Sequence, residues 1–266
     1  MSIFKYISYI ILIIMFSCDE GPVFDNPLDD DNNPDYTEPE TFIIEDIDNS
    51  IINESFLNIE FAGNEFVKEY AYSLNNQGWS DWSDQSIVTL SYLDEGDYNF
   101  KVKSRYITGD EDLTPAEVNF EVDAVSGPGL RIFPLFKTIS NSSDMVSLYV
   151  EDVENISFGT ITIQLVSNDC EAITISSIES GDLIQGNSNI FIYDYENNAH
   201  TINFGISEGS QLSGTGEIAK INLNNDGQTC NSDVQLIIDI ESSELRDYDN
   251  IEIPILDSAN GVLNEN

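Results

Sequence analysis

The sequence predicts an all-β protein built from two sandwich domains. Three observations predict it. From Thr41 onward apolar residues recur with period two, as in Val146, Leu148 and Val150. β-Branched residues are abundant, and almost no run carries a helical period. Turn clusters such as Asn75-Asn76-Gln77-Gly78 cut the chain into short strand-sized pieces.

The chain has 266 residues, enough for one large domain or two ordinary ones. Its 41% hydrophobic and 11% aromatic content suffices for a packed core. It carries 49 Asp and Glu against 9 Lys and Arg, a formal net charge of −40. A phosphate backbone needs clustered cations, so nucleic acid is excluded as a partner, and anionic headgroups are disfavoured likewise. The sequence has one His and no Gly-x-Ser-x-Gly elbow, phosphate-cradling loop or Cys/His metal spacing. The expectation is a protein that is not an enzyme, with no cofactor, metal ion or catalytic residue. The carboxylates fall mostly on outward strand positions and turns, where they keep the surface soluble.

Residues 1–17 read as a secretory signal. Lys5 precedes the apolar run Tyr6 to Phe16, too short to span a bilayer comfortably. The run ends at Met15-Phe16-Ser17-Cys18, which resembles the bacterial lipobox. That resemblance implies lipid attachment at Cys18 and anchoring to a membrane through several acyl chains. Asp19, Glu20 and the acidic residues after them resemble a surface-export signal of Gram-negative lipoproteins. The expected location is the cell envelope, as a surface-exposed outer-membrane lipoprotein. Residues 18–41 form an acidic disordered tether, because Pro34, Pro39 and the repelling carboxylates oppose a helix. Asp29, Asp31 and Asp35 lack the Gly turn and bidentate Glu of an EF-hand calcium loop. In an oxidising compartment the two remaining cysteines, Cys170 and Cys230, are expected to pair. On the chain-entropy model a loop of roughly 60 residues closed this way is stabilised by about 4 kcal/mol.

The first module covers residues 42–123. Phe56 to Phe61, Tyr70 to Leu74 and Ser86 to Tyr92 read as strands. Tyr98, Phe100 and Val102 face one way, while Asn99, Lys101 and Lys103 face the other. Leu93, Gly96 and Tyr98 resemble the tyrosine corner of fibronectin type III and immunoglobulin-like sandwiches. Such a module implies a spacer. Trp79 and Trp82 are of the type that either covers a sandwich edge or stacks on sugar rings. Lys101, Lys103 and Arg105 share one strand face and are expected to meet carboxylates on a neighbouring strand.

Residues 124–130, with Ser126-Gly127-Pro128-Gly129, read as a short hinge. The second module, residues 131–266, holds eight or nine strands, as a jelly roll requires. Its segments from Val146 to Asn155, Ile161 to Leu165, Ile173 to Leu183 and Ser213-Gly-Thr-Gly216 to Leu223 resemble, in order and spacing, a cohesin domain. That resemblance implies a jelly roll shared with carbohydrate-binding modules, and a dockerin-bearing protein partner. His200 reads as a solvated residue of an Asn-rich hairpin turn. Phe191, Tyr193 and Tyr195 share one side of a strand, with Thr201 and Asn203 expected opposite and Glu208 at the strand end. These residues are the predicted binding surface. The reading is a lipid-anchored binding or scaffold protein, linked to polysaccharide use, that docks a protein partner. Direct carbohydrate binding and a ligand-free structural role are the alternatives.

Overall fold

A computed structural model describes residues 28, 36–139, 144–167, 172–186, 189–207, 210–226 and 233–265. Among them every regular element is a strand. Cys18, Cys170, Cys230, Glu208, Gly209 and the acidic residues Asp29, Asp31 and Asp35 lie outside the described residues.

Seven strands build the first module: β1 (Thr41–Ile43), β2 (Ser50–Ile52), β3 (Phe56–Gly63), β4 (Val67–Leu74), β5 (Ile87–Ser91), β6 (Gly96–Tyr106) and β7 (Ala116–Val122). They form one sheet of order β1-β3-β5 and another of order β2-β7-β6-β4. Ile59, Phe61, Leu90, Leu93, Phe100, Val102, Val118, Phe120 and Val122 fill the space between them. The period-two pattern decides this: Phe100 and Val102 turn inward, and Lys101 and Lys103 turn outward. The Tyr98 hydroxyl donates to the carbonyl oxygen of Asp94 at 3.0 Å, the bond that a tyrosine corner makes.

The ordered module begins before residue 42. Thr41 is buried, and its hydroxyl bonds Ser104 at 2.9 Å and Asp112 at 2.6 Å. The Tyr106 hydroxyl donates to the Thr37 carbonyl at 2.9 Å, and the Tyr36 and Tyr106 rings meet edge to face at 6.4 Å. Residues 36–41, read from sequence as the end of the tether, are therefore packed on β6. Their Pro and Glu content opposes a helix but not an extended segment laid on a sandwich.

The second module contains β8 (Gly129–Phe133), β9 (Phe136–Ile139), β10 (Asp144–Ile156), β11 (Phe158–Val166), β12 (Ile173–Ser180), β13 (Ile190–Glu196), β14 (Ala199–Gly205), β15 (Leu212–Asn225), β16 (Val234–Arg246), β17 (Glu252–Ile253), β18 (Asp257–Ala259) and β19 (Gly261–Glu265). One sheet has the order β12-β15-β10-β8-β18. The other has the order β13-β14-β11-β16-β19-β9, with β17 paired to β16. Leu130, Ile132, Leu148, Val150, Ile161, Ile163, Ile202, Ile221, Leu223 and Leu236 are fully buried between the sheets. Each such side chain contributes about 1.5–3 kcal/mol of burial energy.

The segment read as a hinge is held at its start, and its last residues, Gly129 and Leu130, already belong to β8. The Glu95 carboxylate accepts the N–H groups of Ala124 and Val125, each at 3.0 Å. Asp94 accepts the Leu135 N–H at 2.8 Å, and the Tyr92 and Phe136 rings stack at 5.3 Å. Gly and Pro signal a change of direction, but Glu95, which clamps its start, lies 29 and 30 residues upstream of the groups it holds.

Candidate functional site

The β13–β14 hairpin turns at Asn197-Asn198, whose φ angles are 55° and 63°. Asparagine tolerates this left-handed pair, which matches the twist of a two-residue hairpin. The register then sets Phe191 opposite Phe204, Tyr193 opposite Ile202 and Tyr195 opposite His200. Phe191 and Tyr193 pack against the core, while Tyr195 is 55% exposed at the end of the sheet.

This arrangement divides the predicted binding set. Asn203 pairs with Ile192 and Thr201 with Asp194, so both lie on the opposite face from the three aromatics. The expected Thr201 and Asn203 frame around Phe191, Tyr193 and Tyr195 is corrected by this one-residue offset. The assignment of His200 is corrected too. It belongs to β14 and is buried rather than solvated in the turn. Its Nδ1 lies 2.9 Å from the Tyr193 hydroxyl, and its ring stacks on Tyr195 at 4.4 Å. Burial lowers the His200 pKa and raises that of Tyr193. The neutral imidazole is thereby favoured. A cleft of about 570 Å³ opens beside it, lined by Leu165, Ile173, Ile175, Tyr193 and Tyr195.

The outer face of β13-β14-β11-β16 carries a second surface. Ile190, Gly205, Phe158 and Arg246 lie in one row across the four strands. Ile192, Asn203, Thr160 and Glu244 form the next row. Ile190 is 59% exposed, Ile192 56% and Phe158 45%. The Thr160 hydroxyl donates to Asn203 Oδ1 at 2.9 Å, and Arg246 pairs with Glu244 at 2.9 Å. The hydrogen bonds to Arg246 hold the Glu244 pKa below the usual carboxylate range. Between Thr160 and Thr162 the partner strand gains extra residues, because Thr160 faces Glu244 and Thr162 faces Asp239. This bulge places Ser243 against the Thr162 N–H at 3.0 Å and bounds the face on one side.

Sequence reading found Asn203 but missed Phe158, Ile190 and Ile192 as surface residues. In a sandwich strand an exposed Ile looks like a core Ile until the register is known. The available signal was the parity of β13: with Phe191 and Tyr193 inward, Ile190 and Ile192 must point out.

No protein-family model matches the chain, and no curated protein matches it. Solved structures similar to it include cohesin domains. The sixth cohesin of Acetivibrio cellulolyticus scaffoldin B, solved with a Cel5 dockerin, is 17% identical, with 53% of this chain and 100% of that one covered and a TM-score of 0.45. A non-cellulosomal cohesin from Archaeoglobus fulgidus is 15% identical, with 52% and 91% covered and a TM-score of 0.41. A cohesin module from a Clostridium perfringens family 33 glycoside hydrolase is 14% identical, with 52% and 97% covered and a TM-score of 0.41.

Proposed function

We propose that this chain is a lipid-anchored cell-envelope protein whose second module docks a protein partner on the outer face of β13-β14-β11-β16. One observation carries the reading: Ile190, Ile192 and Phe158 stand exposed together and are framed by the Asn203–Thr160 and Glu244–Arg246 pairs. An apolar centre with a satisfied polar rim is the anatomy of a protein interface. The partner class implied by the cohesin resemblance is a dockerin-bearing protein, and the biological setting is polysaccharide use. Cys18 supplies the anchor, residues after it the tether, and the first module the spacer.

The role is binding and not catalysis. His200 is held by a tyrosine hydroxyl and burial, an arrangement that fixes a ring rather than activating a nucleophile.

The test uses the purified chain as bait on the secretome of its own organism, with calcium and with chelator, read by mass spectrometry. A dockerin-bearing prey captured only with calcium is the expected result. Capture of no such protein under either condition overturns the dockerin reading.

A further inference from the structure

The first module carries a groove that the docking surface does not use. It lies on the outer face of β2-β7-β6-β4. Asn119 and Asn99 face each other across β7 and β6. The backbone N–H of Asn49 bonds the Asn119 carbonyl at 2.6 Å, and that of Asn75 bonds the Asn99 carbonyl at 2.8 Å. Four asparagines thus lie side by side across the sheet. One row further along, Ile51, Glu121 and Asp97 are aligned. These residues line a depression of about 550 Å³. A second depression of about 310 Å³ adjoins it at Asn76 and ends at Trp79 and Pro115. From Asp97 to Lys101 the groove follows β6 for roughly 13 Å.

The chemistry of the lining selects a ligand class. A carboxamide both donates and accepts hydrogen bonds, as a sugar hydroxyl does. Asn99 spends its amide protons on Glu117 and Asn119, which leaves the amide groups of Asn75 and Asn119 as donors and Asn49 Oδ1, Asp97 and Glu121 as acceptors. Trp79 is 43% exposed and supplies an apolar ring at the far end. The cations along the face are already engaged. Lys101 pairs with Glu117 at 3.4 Å, Lys103 with Glu111 at 2.6 Å and Arg105 with Glu69 at 2.6 Å. The Lys103 ammonium also lies 4.8 Å from the centre of the Trp79 ring. An anionic ligand finds no uncommitted cation here and meets a chain of net charge −40. A peptide would need apolar pockets or an open sheet edge, and this floor is an amide-covered face.

We infer that this groove binds a neutral oligosaccharide, with Asn49, Asn75 and Asn119 contacting hydroxyls and Trp79 stacking on a ring face. The inference is independent of the docking surface on the second module.

The test is calorimetric titration of the full chain with four neutral hexaoses, of β-1,4-glucose, α-1,4-glucose, β-1,4-mannose and β-1,4-xylose, and with hexagalacturonate. At least one neutral hexaose is expected to bind, and hexagalacturonate is not. Trp79→Ala is expected to weaken binding by about tenfold or more. Asn119→Ala, at an exposed position where the side chain also accepts from Asn99 at 2.9 Å, is expected to weaken it too with at most a small fall in melting temperature. Absence of binding by all four neutral hexaoses overturns the inference. So does binding that survives both substitutions, or hexagalacturonate binding as tightly as the best neutral hexaose.

Discussion

Phe158 on β11 faces Gly205 on β14 in register, and a Cβ added to that glycine would stand 3.5 Å from the Phe158 ring. It would stand 3.9 Å from Ile190 on the other side. Both are ordinary contacts, so Gly205→Ala is expected to fold as well as the parent, within about 0.5 kcal/mol. The neighbouring Gly159 differs. A Cβ there would collide with the Phe204 ring on the core side. Gly159→Ala must displace that ring and is expected to cost about 1–3 kcal/mol. Denaturant unfolding of the two variants checks the contrast.

The joint between the modules depends on Glu95. Glu95→Ala leaves the N–H groups of Ala124 and Val125 without their acceptor and is expected to cost about 1–3 kcal/mol. Glu95→Gln keeps an acceptor oxygen and is expected to be mild. The pH dependence has a definite sign. Burial raises the Glu95 pKa above its usual 4.5, so the folded state holds the proton to higher pH than the unfolded one. The contribution of Glu95 to stability is therefore full below the usual value and falls as pH rises through the raised one. Stability measured against pH is expected to decline less over that window in Glu95→Gln than in the parent.

His200 acts in the opposite sense. Its folded pKa lies below the usual 6.5 because burial disfavours the cation. The unfolded chain then binds more protons, and the stability that His200 contributes is lost as pH falls below 6.5. It is the one histidine of the sequence, so His200→Gln is expected to remove this slope from melting temperatures taken between about pH 7 and about pH 5. An unchanged slope would show that the imidazole is not buried in solution.

Tyr98 joins local sequence to fold. Its hydroxyl closes on Asp94 only four residues upstream. Tyr98→Phe keeps the ring stacked near Phe120 and removes that bond, with an expected loss of about 1 kcal/mol. A melting temperature unchanged from the parent would deny the corner a stabilising role.

The fold was largely legible because period-two patterning and asparagine turns are local signals. Val146, Leu148 and Val150, and the Asn197-Asn198 turn, read the same way in sequence and structure. The site was only partly legible. Lys101 and Arg105 meet carboxylates on neighbouring strands as expected, Glu117 on β7 and Glu69 on β4, while Lys103 meets Glu111 in the connection between β6 and β7. That Lys103 and Arg105 also lie under Trp79 and Trp82 depends on the segment after β4 folding back along it, through the Ser80 N–H to the Tyr72 carbonyl at 2.8 Å. No local pattern announces such a return. His200 was misplaced because a turn-rich neighbourhood hides a buried strand position. Phe191 and Tyr193 were set on the binding surface, but the parity of β13 turns them to the core and leaves Asn203 with Ile190 and Ile192 on the outer face.

The central claim is that the partner docks on the outer face of β13-β14-β11-β16. The most direct measurement compares capture of the same prey by the parent chain and by Phe158→Asp with Ile192→Asp. Both positions are exposed, so the double variant is expected to fold and to melt near the parent temperature. The account predicts that it loses the prey. Undiminished capture by a folded double variant would contradict it.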